Sequence, residues 1–94
     1  MLEGFDKTFE NKVRLGIMAA LMTNDRLDFI ELRSLLKVTD GNLASHLSNL
    51  ESLEYVAIHK TFVGKKPNTS IKLTKLGRKA FEKHIKFLEK LLKR

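Results

Sequence analysis

The apolar residues of this chain change their spacing once, after Glu54, and that change restricts the fold more than any other feature. In residues 11–22, Val13, Ile17, Ala20 and Leu21 recur as on one face of a helix, and Leu43, Leu47 and Leu50 do the same in residues 40–53. Val56, Ile58 and Phe62 then fall on alternate positions, as a half-buried strand requires. Gly64-Lys65-Lys66-Pro67-Asn68 predicts a turn, and residues 69–73 resume a strand with Ile71 and Leu73 on one face. Past Thr74 the helical period returns through Leu76, Ala80, Phe81, Ile85, Leu88 and Leu92, widened by Phe87 and Leu91.

Between the first and third helical segments lies a shorter one. Asp28 with Glu31 three residues on resembles a capping box, and it opens a helix over residues 29–37. Leu27-Asp28-Phe29 is a scrap of strand at most. Thr39 is a second cap candidate. The predicted order is helix, short extended piece, helix, helix, strand, strand, helix: a mainly α chain with a small β-hairpin, in the α+β class. Two helices joined by Val38-Thr39 make a helix-turn-helix, and a hairpin with a basic tip makes a wing. No Gly/Ser linker, repeat or low-complexity stretch divides the chain. It is read as one domain over residues 1–94, with the helix-turn-helix at 28–54, the wing at 55–73 and a last helix at 74–94.

The chain has no cysteine, which excludes disulfide scaffolds, thiol catalysis and thiolate metal sites and suits a reducing cytoplasm. Its longest apolar run, residues 17–22, is far short of the roughly 20 residues a bilayer needs. The opening MLEGFDKTFE carries no basic segment followed by an apolar stretch, so no secretory signal is expected. The net charge of +7 is unevenly spread. Residues 1–54 hold 6 Lys/Arg against 9 Asp/Glu, and residues 55–94 hold 12 against 2. Such asymmetry points to a polyanion met by one face.

The third helix supplies the second half of that argument. Successive helical residues turn by about 100°, so Ser45, His46 and Asn49 each lie within roughly 60° of Asn42, beside the apolar line of Leu43, Leu47 and Leu50. This polar face has no Lys, Arg, Asp or Glu, unlike an ordinary solvated helix surface. Short hydrogen-bonding side chains suit base edges in a major groove, where Asn pairs bidentately with adenine. Phosphate contacts are expected from Thr39, Gly41, Lys60, Lys65, Lys66, Lys75 and Arg78, so affinity and base choice sit on different elements.

Residues 27–77 resemble small winged-helix transcriptional regulators, single-domain relatives of the multiple-antibiotic-resistance-type and arsenical-resistance-type repressors (MarR/ArsR-like). The signatures are LDFIELRSLL for the positioning helix, TDGNLASHLSNLE for the recognition helix and VGKKPNTSIKLTKLG for the wing and the start of the last helix, with NKVRLGIMAAL fitting the first helix. The resemblance implies sequence-specific binding of double-stranded DNA as a homodimer and regulation of transcription. It puts Asn42, Ser45, His46 and Asn49 in the major groove and Lys65 and Lys66 on the wing. One departure counts: the wing tip has lysines and no arginine, which removes the usual support for specific minor-groove reading.

The stripe Phe81, Ile85, Leu88, Leu92 repeats at 4-3-4 spacing, the seam of helices packed lengthwise, and is read as a dimer interface. The alternative function is a protein–protein interaction module that docks through the same stripe. No Gly-rich phosphate loop, Walker pattern or HExxH is present, and the three histidines stand far apart, so neither enzyme activity nor a cofactor or metal is expected. A small-molecule effector is compatible with a dimer cleft, but no residue constellation points to one.

Overall fold

Eleven apolar side chains from every part of the chain meet in one core, and the elements are arranged to bring them there. The computed structural model describes residues 2–93. Two 3-10 turns, Leu2–Gly4 and Lys7–Glu10, precede α1 (Lys12–Met22). Then follow β1 (Leu27–Asp28), α2 (Phe29–Leu36), α3 (Asp40–Ser52), β2 (Val56–Val63), β3 (Lys66–Leu73) and α4 (Lys75–Lys93). Ile17, Met18 and Leu21 of α1 pack with Leu32 of α2, Leu43, Leu47 and Leu50 of α3, Val56 and Ile71 of the sheet, Phe81 of α4 and Phe9.

Each helix begins where its cap stands. Asn11 Oδ1 accepts from the amides of Val13 and Arg14 and opens α1. Asp28 and Glu31 form the reciprocal capping box of α2. Lys37 ends α2 in the left-handed region at φ 55°. Thr39 Oγ1 then accepts from Asn42 N at 3.1 Å and opens α3. Across this turn Arg33 Nη1 meets Asp40 Oδ1 at 2.6 Å on the surface. Only Lys37, Val38 and Thr39 separate the two helices, so α3 leaves α2 at an angle fixed by backbone hydrogen bonds.

The sheet is antiparallel in the order β1-β3-β2. β1 covers only Ser70 and Ile71 of β3, whereas β2 and β3 pair along their whole length from Val56↔Leu73 to Val63↔Lys66. The turn is therefore just Gly64 and Lys65, shorter than the five-residue turn the sequence suggests. Gly64 takes φ +66°, the pattern of a type II′ turn, which suits the twist of a hairpin. Pro67 lies inside β3 opposite Phe62. It is tolerated because β1 does not reach this far, which leaves one side of β3 open. The expectation that Phe62 is half-buried is corrected for the same reason: the hairpin has run beyond the core, and Phe62 is 70% exposed.

Nothing in the sequence pattern predicted structure before α1, yet residues 5–9 close the core over α4. Phe9 is buried, edge-on to Phe81 at 5.3 Å and stacked on Tyr55 at 5.8 Å. Phe5 packs edge-on to Phe87 at 4.9 Å. Asp6 N donates to Nδ1 of His84 at 3.4 Å, and the Asp6 carboxylate accepts from Thr8 N and from the Tyr55 hydroxyl. The inward line of α4 is consequently Gly77, Phe81 and His84. Leu76 and Leu92, expected on the apolar stripe, are exposed. Close approach sets this rotation: Gly77 lies against the Tyr55 carbonyl, where any side chain would collide.

Candidate nucleic-acid interface

The buried line Leu43, Leu47, Leu50 seats α3 on the core and turns its opposite side to solvent. Gly41, Asn42, Ser45 and Asn49 are all exposed there, and Thr39 stands exposed at the start. The polar face foreseen from the spacing is thus open and uncovered by the chain itself. His46 differs. It is half-buried, and its Nδ1 lies 3.2 Å from Arg14 Nη1 of α1. Arg14 Nε donates in turn to Thr8 O at 2.7 Å.

Two open grooves flank α3. One, about 700 Å³, is lined by Lys12, Val13, Leu36, Lys37, Val38, Thr39 and Asn42. The other, about 690 Å³, runs between α3 and the hairpin and includes Ser48, Glu51, Lys60 and Thr69. The face of α3 that bears Asn42, Ser45 and Asn49 is a ridge of uncharged hydrogen-bonding groups between two channels that both carry lysine, one of them beside Glu51. That is the charge pattern a duplex presents in reverse, with base edges between two rails of phosphate. The amides of the first turn of α3 add the positive end of a helix dipole beside Lys12 and Lys37.

Sequence reasoning missed Lys12, Lys37 and Arg14. Counting charge by halves hid them, because they lie in the half with net negative charge. Lys37 was the one with a visible signal, since it immediately precedes the helix-turn-helix turn. On the hairpin, Lys60, Lys65 and Lys66 are exposed as expected, with Lys65 at the turn itself. Lys75 is exposed in the first turn of α4. Arg78 is drawn elsewhere: its Nη1 donates to Sδ of Met22 at 3.6 Å, at the far end of α1 from Lys12. An 11-residue helix separates those ends by about 16 Å, so Arg78 does not join the α3 groove.

The stripe on α4 divides. Phe81 is 3% exposed and packed on Phe9, so the structure corrects its assignment to a subunit interface and puts it in the chain's own core. Leu88 is half-buried, Ile85 is 37% exposed and Leu92 is 85% exposed. The C-terminal half of α4 therefore offers an apolar surface that the N-terminal turns leave open. No helix among the described residues is long and apolar enough to cross a membrane.

Comparison with known proteins adds four findings. Residues 13–92 match the family described as winged helix DNA-binding domain. Over 79 residues the chain is 38% identical to an uncharacterized protein of Methanocaldococcus jannaschii, covering 84% of this chain and 86% of that one. It also superposes on a transcriptional regulator homologue from Pyrococcus horikoshii OT3 with TM-score 0.84 and 29% identity, covering 90% of this chain and 84% of that chain. A putative transcriptional regulator, ytfH, from Salmonella typhimurium shares the fold at TM-score 0.76 and 24% identity, covering 88% and 73% respectively.

Proposed function

The chain belongs to the winged helix DNA-binding domain family, and from that premise we propose that it regulates transcription as a homodimer on double-stranded DNA. In this reading α3 enters the major groove with Asn42, Ser45, His46 and Asn49 toward base edges. Thr39, Gly41, Lys12 and Lys37 meet phosphate at one side, and Lys60, Lys65 and Lys66 meet backbone or minor groove at the other. The observation that carries it is the uncharged, exposed ridge of α3 between two lysine-bearing grooves.

The dimer rests on exposed Ile85 and Leu92 with half-buried Leu88 between them, an apolar surface on one helix that is otherwise unexplained. Two copies related by a two-fold axis present two α3 helices to half-sites about one helical turn, roughly 10 base pairs, apart.

Selection of bound duplexes from random sequence tests both parts at once. The expected product is a two-fold symmetric site, and Asn49→Ala weakens that site by about 1–3 kcal/mol while sparing unrelated DNA. A chain that is monomeric at micromolar concentration and enriches no sequence at low salt refutes the reading. That outcome favours a protein-docking module working through α4.

A further inference from the structure

One side chain on the polar face of α3 is held from behind. Arg14 Nη1 approaches His46 Nδ1 to 3.2 Å. A guanidinium carries only N–H donors and stays protonated, so the imidazole nitrogen facing it has to be the acceptor. The imidazole proton then resides on Nε2. Arg14 is itself fixed. Its Nε donates to Thr8 O at 2.7 Å, and its backbone amide donates to Asn11 Oδ1 at 3.0 Å in the cap of α1. The planar fork of arginine makes the two side-chain contacts from two separate nitrogens held in one plane, where a lysine would have only a single head to share between them.

We propose that Arg14 is a positioning residue for base recognition: it locks His46 as the Nε2–H tautomer and so commits that side chain to donate a hydrogen bond to a base. The inference rests on the reading of α3 as the major-groove helix and says what one of its residues recognises. A free neutral imidazole exchanges its proton between two nitrogens and can accept as well as donate. The locked ring presents a donor alone. In the major groove its partners are purine N7, guanine O6 or thymine O4, and the exocyclic amino groups of adenine and cytosine are refused. The contact also ties the 3-10 turn Lys7–Glu10 to the reading helix, so residues that touch no base take part in selecting one.

Long-range proton–nitrogen NMR on the full chain reads the His46 tautomer without DNA. Binding to the selected site and to its single-base-pair variants reads specificity. The wild type is expected to show Nε2–H, and Arg14→Ala a mixture of tautomers. Arg14→Ala and His46→Ala are each expected to lose about 5- to 150-fold of preference at the same base pair, with the double variant no worse than either alone. Preference at the other positions stays. Arg14→Lys retains the charge but should behave like Arg14→Ala, which separates the fork from the cation. The proposal is overturned if the tautomer does not respond to Arg14, if Arg14→Lys keeps full preference, or if the loss spreads evenly over the site. A wild type that selects no sequence overturns it together with the reading it rests on. A selective wild type with an unmoved tautomer overturns it alone.

Discussion

The same substitution, glycine to alanine, is expected to move stability in opposite directions in two helices. Alanine is favoured over glycine within a helix by about 1 kcal/mol, so propensity alone gives a gain at both Gly41 and Gly77. Their surroundings differ. A Cβ on Gly41 meets nothing within 4 Å. Gly41→Ala therefore keeps a gain of about 0.4–1 kcal/mol, which in a domain of this size raises Tm by about 2–8 °C. A Cβ on Gly77 stands 2.9 Å from Tyr55 Cα and closer to its carbonyl. That obstacle is backbone, and the same carbonyl accepts from Thr74 N at 3.1 Å, so α4 cannot slide away without straining its own first turn. Overpacking costs about 1–3 kcal/mol, and a rigid backbone puts this site at the upper end. After the propensity gain, a net loss of about 2 kcal/mol remains, a drop in Tm of about 8–16 °C. Thermal unfolding followed by circular dichroism measures both. The Gly41 variant adds a second readout, because in the proposed complex its methyl stands where the helix start would meet phosphate: DNA affinity should fall while Tm rises. A Gly77→Ala protein as stable as wild type would refute the packing of α4 on Tyr55. A destabilised Gly41→Ala would mean that the first turn of α3 is covered.

Burial holds the Tyr55 phenol above its ordinary value, reinforced by the nearby Asp6 carboxylate and the hydrogen bond to it. A raised acid stabilises the fold below its unfolded value, about 10, and that contribution is lost as pH rises toward the folded value. Urea titrations from pH 8 to 11 should show stability falling at the alkaline end in wild type and less steeply in Tyr55→Phe; identical slopes would count against the burial of this phenol. Phe9→Ala should cost about 3–5 kcal/mol, since it uncovers Phe81 and His84; a change below about 1 kcal/mol in chemical denaturation would detach the N-terminal turns from the core. Lys65→Ala should weaken binding to all DNA and reduce the salt slope of log affinity by about 0.9 per protomer, and an unchanged slope would take the wing tip off the phosphates.

The sequence carried the helix boundaries to within a residue or two because their caps are side-chain chemistry: Asn11, Asp28 and Thr39 each hold amides of the turn they open. The exposed face of α3 was equally readable, since three leucines at helical spacing fix which side is down. What escaped depends on contacts distant in the chain. Phe5 and Phe9 show no periodicity, because 3-10 turns of three and four residues are too short to have any. The burial of His84, 4% exposed, has no sequence signal, because Asp6 and two phenylalanines cover it from 75 or more positions away. Arg14 gives no sequence signal, because its partner lies 32 residues on. The depth of Phe81 follows from Phe9, so the seam on α4 could not be divided into inner and outer halves from spacing alone.

The brevity of β1 has a mechanical consequence. It braces β3 at two positions near the base, and from Lys60 to Thr69 the hairpin is a ribbon of two strands standing clear of the body. Such a ribbon has little stability of its own. Like a spring clamped at one end, it can bend to follow duplexes of different width at small cost. On the function proposed above, the lysines near its tip would then hold a range of DNA shapes equally well, and discrimination would be left to the stiff, core-anchored α3.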